Sequence, residues 1–134
     1  MRMNRTASEA DEQKELFRWA EMMQNRYPEL RGMYHCPNGG RRNPHEAHNL
    51  RLQGVKPGVP DICLPVPRGG YHGLYIELKR TRGGRLSDDQ RGWLAFLNRQ
   101  GYLAVVCKGW HEASGVIMGY LGAETNEEKV RADG

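Results

Sequence analysis

The stretch GVPDICLPVPRGGYHGLYIELKR, residues 58–80, decides the fold of this chain. Two apolar runs, residues 61–66 and 72–79, are separated by the turn signal PRGG, so the spacing predicts two neighbouring strands. Side chains alternate between the two faces of a strand, so the second run has an apolar row on one face and a polar row on the other. The apolar row can pack on a helix, while the polar row can face a cleft.

The polar row contains the groups that suggest chemistry. Tyr75, Glu77 and Lys79 share one face, and Asp61 begins the preceding strand, so pairing of the two strands brings Asp61 toward Glu77. Two carboxylates with room for water suit Mg²⁺ or Mn²⁺, and a nearby lysine can orient an attacking water or neutralise charge on a phosphate. The alternative is an exposed ion pair on an edge strand, worth well under about 1 kcal/mol.

Helical periodicity predicts a first helix that starts near residues 6–8 and ends near Arg26. Leu16, Ala20 and Met23 repeat at helical spacing, and Glu9 lies on the same face two turns earlier. A carboxylate at that position could reach a neighbouring sheet.

Further elements follow along the chain. GMYHC (residues 32–36) reads as a short strand, and a glycine-rich loop then enters a short helix. Ser87 is the expected N-cap of a helix that ends before Gly101. Its side chains Trp93, Leu94 and Leu97 are expected to face inward. A strand at 102–107 and a last helix complete the order α, β, β, β, α, β, α. We therefore expect one α/β domain over residues 1–123, and a disordered tail over residues 124–134, which show no periodicity.

The charge is concentrated in the middle of the chain. Residues 41–91 contain ten Lys or Arg and five Asp or Glu, a local balance of +5, whereas the whole chain carries +4. Such a positive field favours a polyanionic partner such as nucleic acid. Three widely spaced cysteines, without a Cys-x-x-Cys pair, fit a reducing cytoplasm, and no apolar run or leader indicates a membrane or export.

Five segments together resemble a known family. GVPD, fifteen residues and then ELK resembles the PD-(D/E)XK nuclease signature, and SEADEQKELFRW, HCPNGGRR and GRLSDDQRGWLAFLNRQGYLAVVCKGWHEA resemble the corresponding parts of the VRR-NUC family, especially its stand-alone phage and bacterial members. The resemblance implies a restriction-endonuclease-like core, a mixed sheet flanked by helices. It also implies an Mg²⁺- or Mn²⁺-dependent DNA endonuclease.

The resemblance assigns roles to individual residues. It implies that Asp61 and Glu77 are metal ligands, with the main-chain carbonyl of Leu78 as a third, and that Glu9 completes the acidic cluster. Lys79 would assist the attacking water, and Gln90 would orient the active site or the strand. Capping boxes offer another explanation for two of these residues, because Glu9 follows Thr6, and Gln90 follows Ser87, by three positions.

Two basic loops are candidates for nucleic-acid binding. The expected contacts are Asn38, Gly39, Gly40, Arg41 and Arg42 in the first loop and Arg80, Arg82 and Arg85 in the second. Asn-Gly is also a tight-turn signal, so the first loop could be only a turn. His35, Cys36, His45 and His48 do not match a common zinc pattern.

The expected partner is DNA, with four-way junctions as the substrate that the stand-alone relatives suggest. Junction cutting would require a homodimer, and Trp19, Met22 and Met23 could form its interface, although core packing explains them equally well. A catalytically silent DNA-binding module and a zinc-dependent structural module are the alternatives to a nuclease.

Overall fold

A mixed four-stranded sheet forms the centre of the molecule. The computed structural model describes residues 6–37 and 43–123. The strands are β1 (Tyr34–His35), β2 (Ile62–Leu64), β3 (Leu74–Lys79) and β4 (Leu103–Lys108), in that order across the sheet. The pairs β1–β2 and β2–β3 are antiparallel and β3–β4 is parallel. The predicted strands are confirmed, but β2 ends at Leu64 because Pro65 has no N–H to donate to a ladder.

Residues 6–37 and 43–123 form four α-helices. They are α1 (Glu9–Met23), α2 (Pro44–Leu52), α3 (Asp88–Arg99) and α4 (Trp110–Gly122), and a short 3₁₀ helix (Pro28–Gly32) follows α1. The predicted first helix is confirmed, although it ends at Met23 rather than near Arg26. The predicted tail, residues 124–134, lies outside the described residues. Within the described ranges, no helix is long and apolar enough to cross a membrane.

Capping boxes begin two of the helices. In α1 the Ser8 hydroxyl accepts from the N–H of Asp11, whose carboxylate accepts from the N–H of Ser8. A capping box between Thr6 and Glu9 is therefore wrong, and the Glu9 side chain is not used by the cap. The box between Ser87 and Gln90 at the start of α3 is confirmed.

The hydrophobic core lies between one face of the sheet and the helices α1 and α4. The apolar row of β3 is almost fully buried there, as its alternation predicted, together with side chains such as Leu16, Cys107 and Ile117. On α3 only Leu97 is fully buried, while Trp93 and Leu94 are half-buried. The core therefore fixes the orientation of β3 and leaves its polar row on the opposite face of the strand.

Candidate active site

Asp61 and Glu77 face each other at the end of the β2–β3 ladder. The register pairs Ile62 with Ile76, so the next step places Asp61 opposite Glu77. Residues opposite each other in an antiparallel pair have Cβ atoms about 4.5–5.5 Å apart. The Asp61 carboxylate also accepts a hydrogen bond from the main-chain N–H of Leu78 through Oδ2, at 2.8 Å. The two carboxylates thus converge because the strand pairing brings them together.

The main chain of Asp61 is held from the other side by β1 and the residue after it. Its carbonyl accepts from the N–H of Cys36 at 2.7 Å and bonds to Nδ1 of His35 at 2.8 Å. Because a carbonyl oxygen can only accept, Nδ1 of His35 carries the proton in this bond. Asp61 is therefore fixed by both of its neighbouring strands.

Glu77 and Lys79 are buried rather than displayed on an edge. β3 lies between β2 and β4, and Glu77 and Lys79 are 2% and 6% exposed. The alternative of an exposed edge-strand ion pair is therefore wrong. Nζ of Lys79 lies 3.8 Å from Oε2 of Glu77 and 3.6 Å from Oε1 of Glu9. The lysine thus stands between the strand carboxylate and the helix carboxylate.

The surroundings of Glu77 disfavour its charged form. Burial, then a hydrogen bond with Asp61 and the charge of Asp61, raise the pKa of Glu77 to about 9, against the opposing effect of Lys79. Its Oε1 atom is buried and has no hydrogen-bond partner in the part of the chain that the structure describes. A buried carboxylate oxygen without a partner is costly unless a proton or a cation satisfies it.

This donor set fits a hard divalent cation. Mg²⁺ and Mn²⁺ prefer carboxylate oxygens, and Mg²⁺ commonly uses one or two protein carboxylates together with waters. Asp61 and Glu77 supply such a pair, and the unpartnered oxygen of Glu77 is free to bind an ion. Among residues 6–37 and 43–123, no three His, Cys, Asp or Glu side chains form a ready metal-binding group. Glu9 is linked to this pair through the Lys79 ammonium, which contacts both Glu9 and Glu77.

Gln90 lies beside the turn that leads into Asp61. Its Oε1 accepts from the N–H of Ser87 at 2.9 Å as part of the capping box. A Cβ atom on Gly58 would lie 2.6 Å from Asp89 and 2.8 Å from the Gln90 nitrogen, and Gly58 has φ of +85°. Only glycine permits this close approach, so the start of α3 supports the Gly-Val-Pro turn that delivers Asp61.

Glu12 is a site-supporting residue that the sequence reasoning missed. It is 7% exposed, and its Oε2 accepts a hydrogen bond from the main-chain N–H of Trp110, at the start of α4. Helical spacing could have predicted the burial of Glu12, because this residue lies one turn before Leu16 on the same side of α1. A carboxylate on a buried stripe needs a donor, and here a helix N-terminus provides it.

A cleft of about 700 Å³ opens beside Glu9. Its walls come from the start of α1 and from the loop after β3, and they include Ser8, Glu9, Ala10, Arg80, Gly83, Gly84 and Arg85. Arg82 is exposed on the same loop. The other predicted contacts, Asn38, Gly39, Gly40, Arg41 and Arg42, lie outside the described residues. The structure thus brings two of the predicted arginines into the cleft beside Glu9, whose carboxylate contacts Lys79.

A mixed sheet flanked by helices, with two carboxylates and a lysine at the end of its central strands, defines a restriction-endonuclease-like protein. The model of the VRR-NUC domain family matches residues 3–111. A solved structure described as a VRR-NUC domain protein superposes with a TM-score of 0.79 and 29% identity, over 90% of this chain and 93% of that one. No curated protein matches the chain. The chain belongs to the VRR-NUC domain family, a nuclease-type family.

Proposed function

We propose that this protein is an Mg²⁺- or Mn²⁺-dependent deoxyribonuclease that hydrolyses phosphodiester bonds within DNA. The observation that carries the proposal is the Asp61–Glu77 pair, with an unpartnered buried oxygen on Glu77 and the Lys79 ammonium 3.8 Å from that carboxylate. Membership of a nuclease-type family supports the same reaction class.

Each side chain has a role in this proposal. Asp61 and Glu77, with the main-chain carbonyl of Leu78, would hold the metal ion, which supplies Lewis-acid stabilisation of the phosphate's negative charge. Lys79 orients the attacking water and offsets charge that develops on the phosphate. Glu9 completes the acidic cluster from the far side and fixes the Lys79 ammonium. Gln90 acts indirectly, by supporting the turn before Asp61. The products would carry a 5′-phosphate and a 3′-hydroxyl.

The basic loop after β3 is the proposed path of the DNA backbone. Arg80 and Arg85 line the cleft beside Glu9, where their guanidinium groups can bind phosphates on either side of the cleaved bond. Arg82 and the residues of segment 38–42 would also bind the DNA backbone. Such contacts position DNA without reading its sequence, which favours selection by DNA shape.

We further propose four-way junctions as the preferred DNA structure and a homodimer as the active form, because two symmetric sites can cut opposed strands. Of the residues suggested for the interface, Met22 is 76% exposed, whereas Trp19 and Met23 pack against the core. The cysteines, Cys36, Cys63 and Cys107, are all free, which supports a reducing compartment such as the cytoplasm.

The test is cleavage of labelled four-way junction, flap, linear duplex and single-stranded DNA by the wild type and Asp61→Asn, with Mg²⁺, Mn²⁺ or EDTA. Asparagine keeps an oxygen that can accept from the Leu78 N–H but removes the charge, so the fold should survive. We expect metal-dependent symmetric nicks in the junction that are absent in the variant. Binding without cutting under every condition would instead indicate a silent DNA-binding module.

A further inference from the structure

Helix α2 is folded but contributes nothing to the core. None of its residues, Pro44–Leu52, is buried. Its ends are nevertheless well satisfied: Asn43 caps the start by accepting from the N–H of Glu46 at 2.8 Å, and the N–H groups of Gly54 and Val55 close the last turn. A nine-residue helix gains little stability by itself, so most helices of this length depend on packing. We therefore expect the exposed surface of α2 to contact a binding partner.

The position of α2 relates it to the candidate active site. The chain leaves the sheet after Cys36 and returns at Asp61, and these two residues are hydrogen-bonded, N–H to carbonyl, at 2.7 Å. The returning segment then packs Gly58 against Asp89 and Gln90 at the start of α3. The connection from Cys36 to Gly58 thus begins beside the proposed metal ligand and ends beside α3. Residues 43–56 of this connection are here named the α2 arm.

The outward surface of the arm carries polar side chains that can donate hydrogen bonds to phosphates. Ala47 and Leu50 are half-buried and lie on the inner side of α2. The opposite side is exposed and contains His45, His48, Asn49 and one apolar residue, Leu52. Arg51 is also exposed. Residues 43–56 contain two cations, Arg51 and Lys56, and one Glu, a balance of +1. This charge complements a polyanion.

We propose that the α2 arm binds the sugar–phosphate backbone of the DNA substrate beside the cleaved bond, so that the substrate lies between the arm and the cleft lined by Arg80 and Arg85. The inference rests on the proposed function in taking DNA as the substrate. Arginine, histidine and asparagine side chains are common donors to phosphate oxygens. The exposed Leu52 lies on the same side as His45 and His48 and would contact the sugars.

The decisive variant is Arg51→Glu, with Arg99→Glu as its control. Arg99 is an exposed arginine in the last turn of α3, at the other end of that helix from Gln90. Binding to a labelled junction is measured in EDTA, where no cutting occurs, over a series of salt concentrations. We expect Arg51→Glu to raise Kd about tenfold and to reduce the slope of log Kd against log salt by about 1, with the control near wild type. Equal effects of the two variants would overturn the proposal.

A second variant, Ala47→Pro, tests the helix itself. Proline removes the bond from the Ala47 N–H to the Asn43 carbonyl and breaks α2, yet the core should stay folded because no α2 residue is buried. We expect an unchanged melting temperature and weakened DNA binding. Unchanged DNA binding by this variant would overturn the proposal. A shift of the variant from dimer to monomer in sedimentation would also overturn it, because a second copy of the chain would then cover the arm. If the wild type bound DNA through α2 but did not cut it, the proposed nuclease activity would be contradicted. The proposal that the α2 arm binds DNA would stand.

Discussion

Glu12 on α1 accepts a hydrogen bond from the main-chain N–H of Trp110, the first residue of α4, at 3.2 Å. The preceding N–H, that of Gly109, donates to the carbonyl of Lys79 at 2.7 Å. The end of β3, the start of α4 and the first turns of α1 are therefore joined at one point. Because Glu9 is one turn from Glu12 on the same helix, this junction sets the distance between Glu9 and Lys79.

Glu12→Ala should destabilise the protein and misplace Glu9. The variant leaves the Trp110 N–H without its buried acceptor, which costs about 1–3 kcal/mol. Glu12→Gln keeps an oxygen acceptor at the same place and serves as the matched control. We expect a thermal melt lowered by several degrees in Glu12→Ala, slower cleavage at saturating DNA in that variant, and recovery of both in Glu12→Gln. Equal losses in the two variants would show that the charge, rather than the hydrogen bond, is what matters.

Lys79→Met should abolish cleavage without abolishing binding. Methionine retains an unbranched stem beneath the loop at Gly84, where the Lys79 side chain is covered, but it cannot orient water or offset charge. We expect single-turnover cleavage to fall at least about 100-fold, with Kd for DNA in EDTA changed by a small factor. Glu77 can accept a proton when its cation is lost, so the melt should remain cooperative. Turnover near the wild-type rate would remove Lys79 from the mechanism.

The pKa of Glu77 predicts a pH-dependent stability in the absence of metal. Its value of about 9 in the folded protein lies above the ordinary 4.5, so between those values only the folded state holds this proton. Unfolding then releases it, and this contribution to stability falls as pH rises from about 4.5 to 9. We expect the melting temperature in EDTA to decline over that range more steeply in wild type than in Glu77→Gln.

Metal addition gives the complementary measurement. A divalent cation bound by Glu77 takes the place of the proton, so Mg²⁺ or Mn²⁺ should raise the melting temperature more at pH 8 than at pH 5.5. Glu77→Gln is again the control. An equal metal-induced rise in both proteins would contradict Glu77 as a ligand.

The sequence predicted those features that follow from local pattern. Alternation along β3 predicted the buried apolar row, and helical spacing placed Glu9 where its carboxylate reaches Lys79 of the sheet. Each of these depends on neighbours within one element. The strand order also allowed Asp61 and Glu77 to be placed near each other, because both lie in one hairpin.

Other features depend on contacts between distant segments, which no single-element pattern contains. β4 pairs along the open edge of β3, so that β3 becomes an interior strand, and the loop at Gly84 covers the Lys79 side chain. Glu12 acquires its role from Trp110, 98 residues later. The N-cap of α1 is Ser8 and not Thr6. The sequence could not distinguish them, because each has an acidic residue three positions later.

Gly58→Ala should destabilise the turn that precedes Asp61, and Gly54→Ala provides the comparison. Both glycines have positive φ, +85° and +97°, so alanine costs about 1–2 kcal/mol at either. At Gly58 the new Cβ would overlap α3, 2.6 Å from Asp89, whereas at Gly54 it would meet open space. Gly58→Ala should therefore lower the free energy of unfolding by about 1–3 kcal/mol more than Gly54→Ala. Urea denaturation measures the difference, and slower metal-dependent cleavage by Gly58→Ala would follow from displacement of Asp61. Equal free energies of unfolding for the two variants would mean that the contact with α3 does not hold the turn.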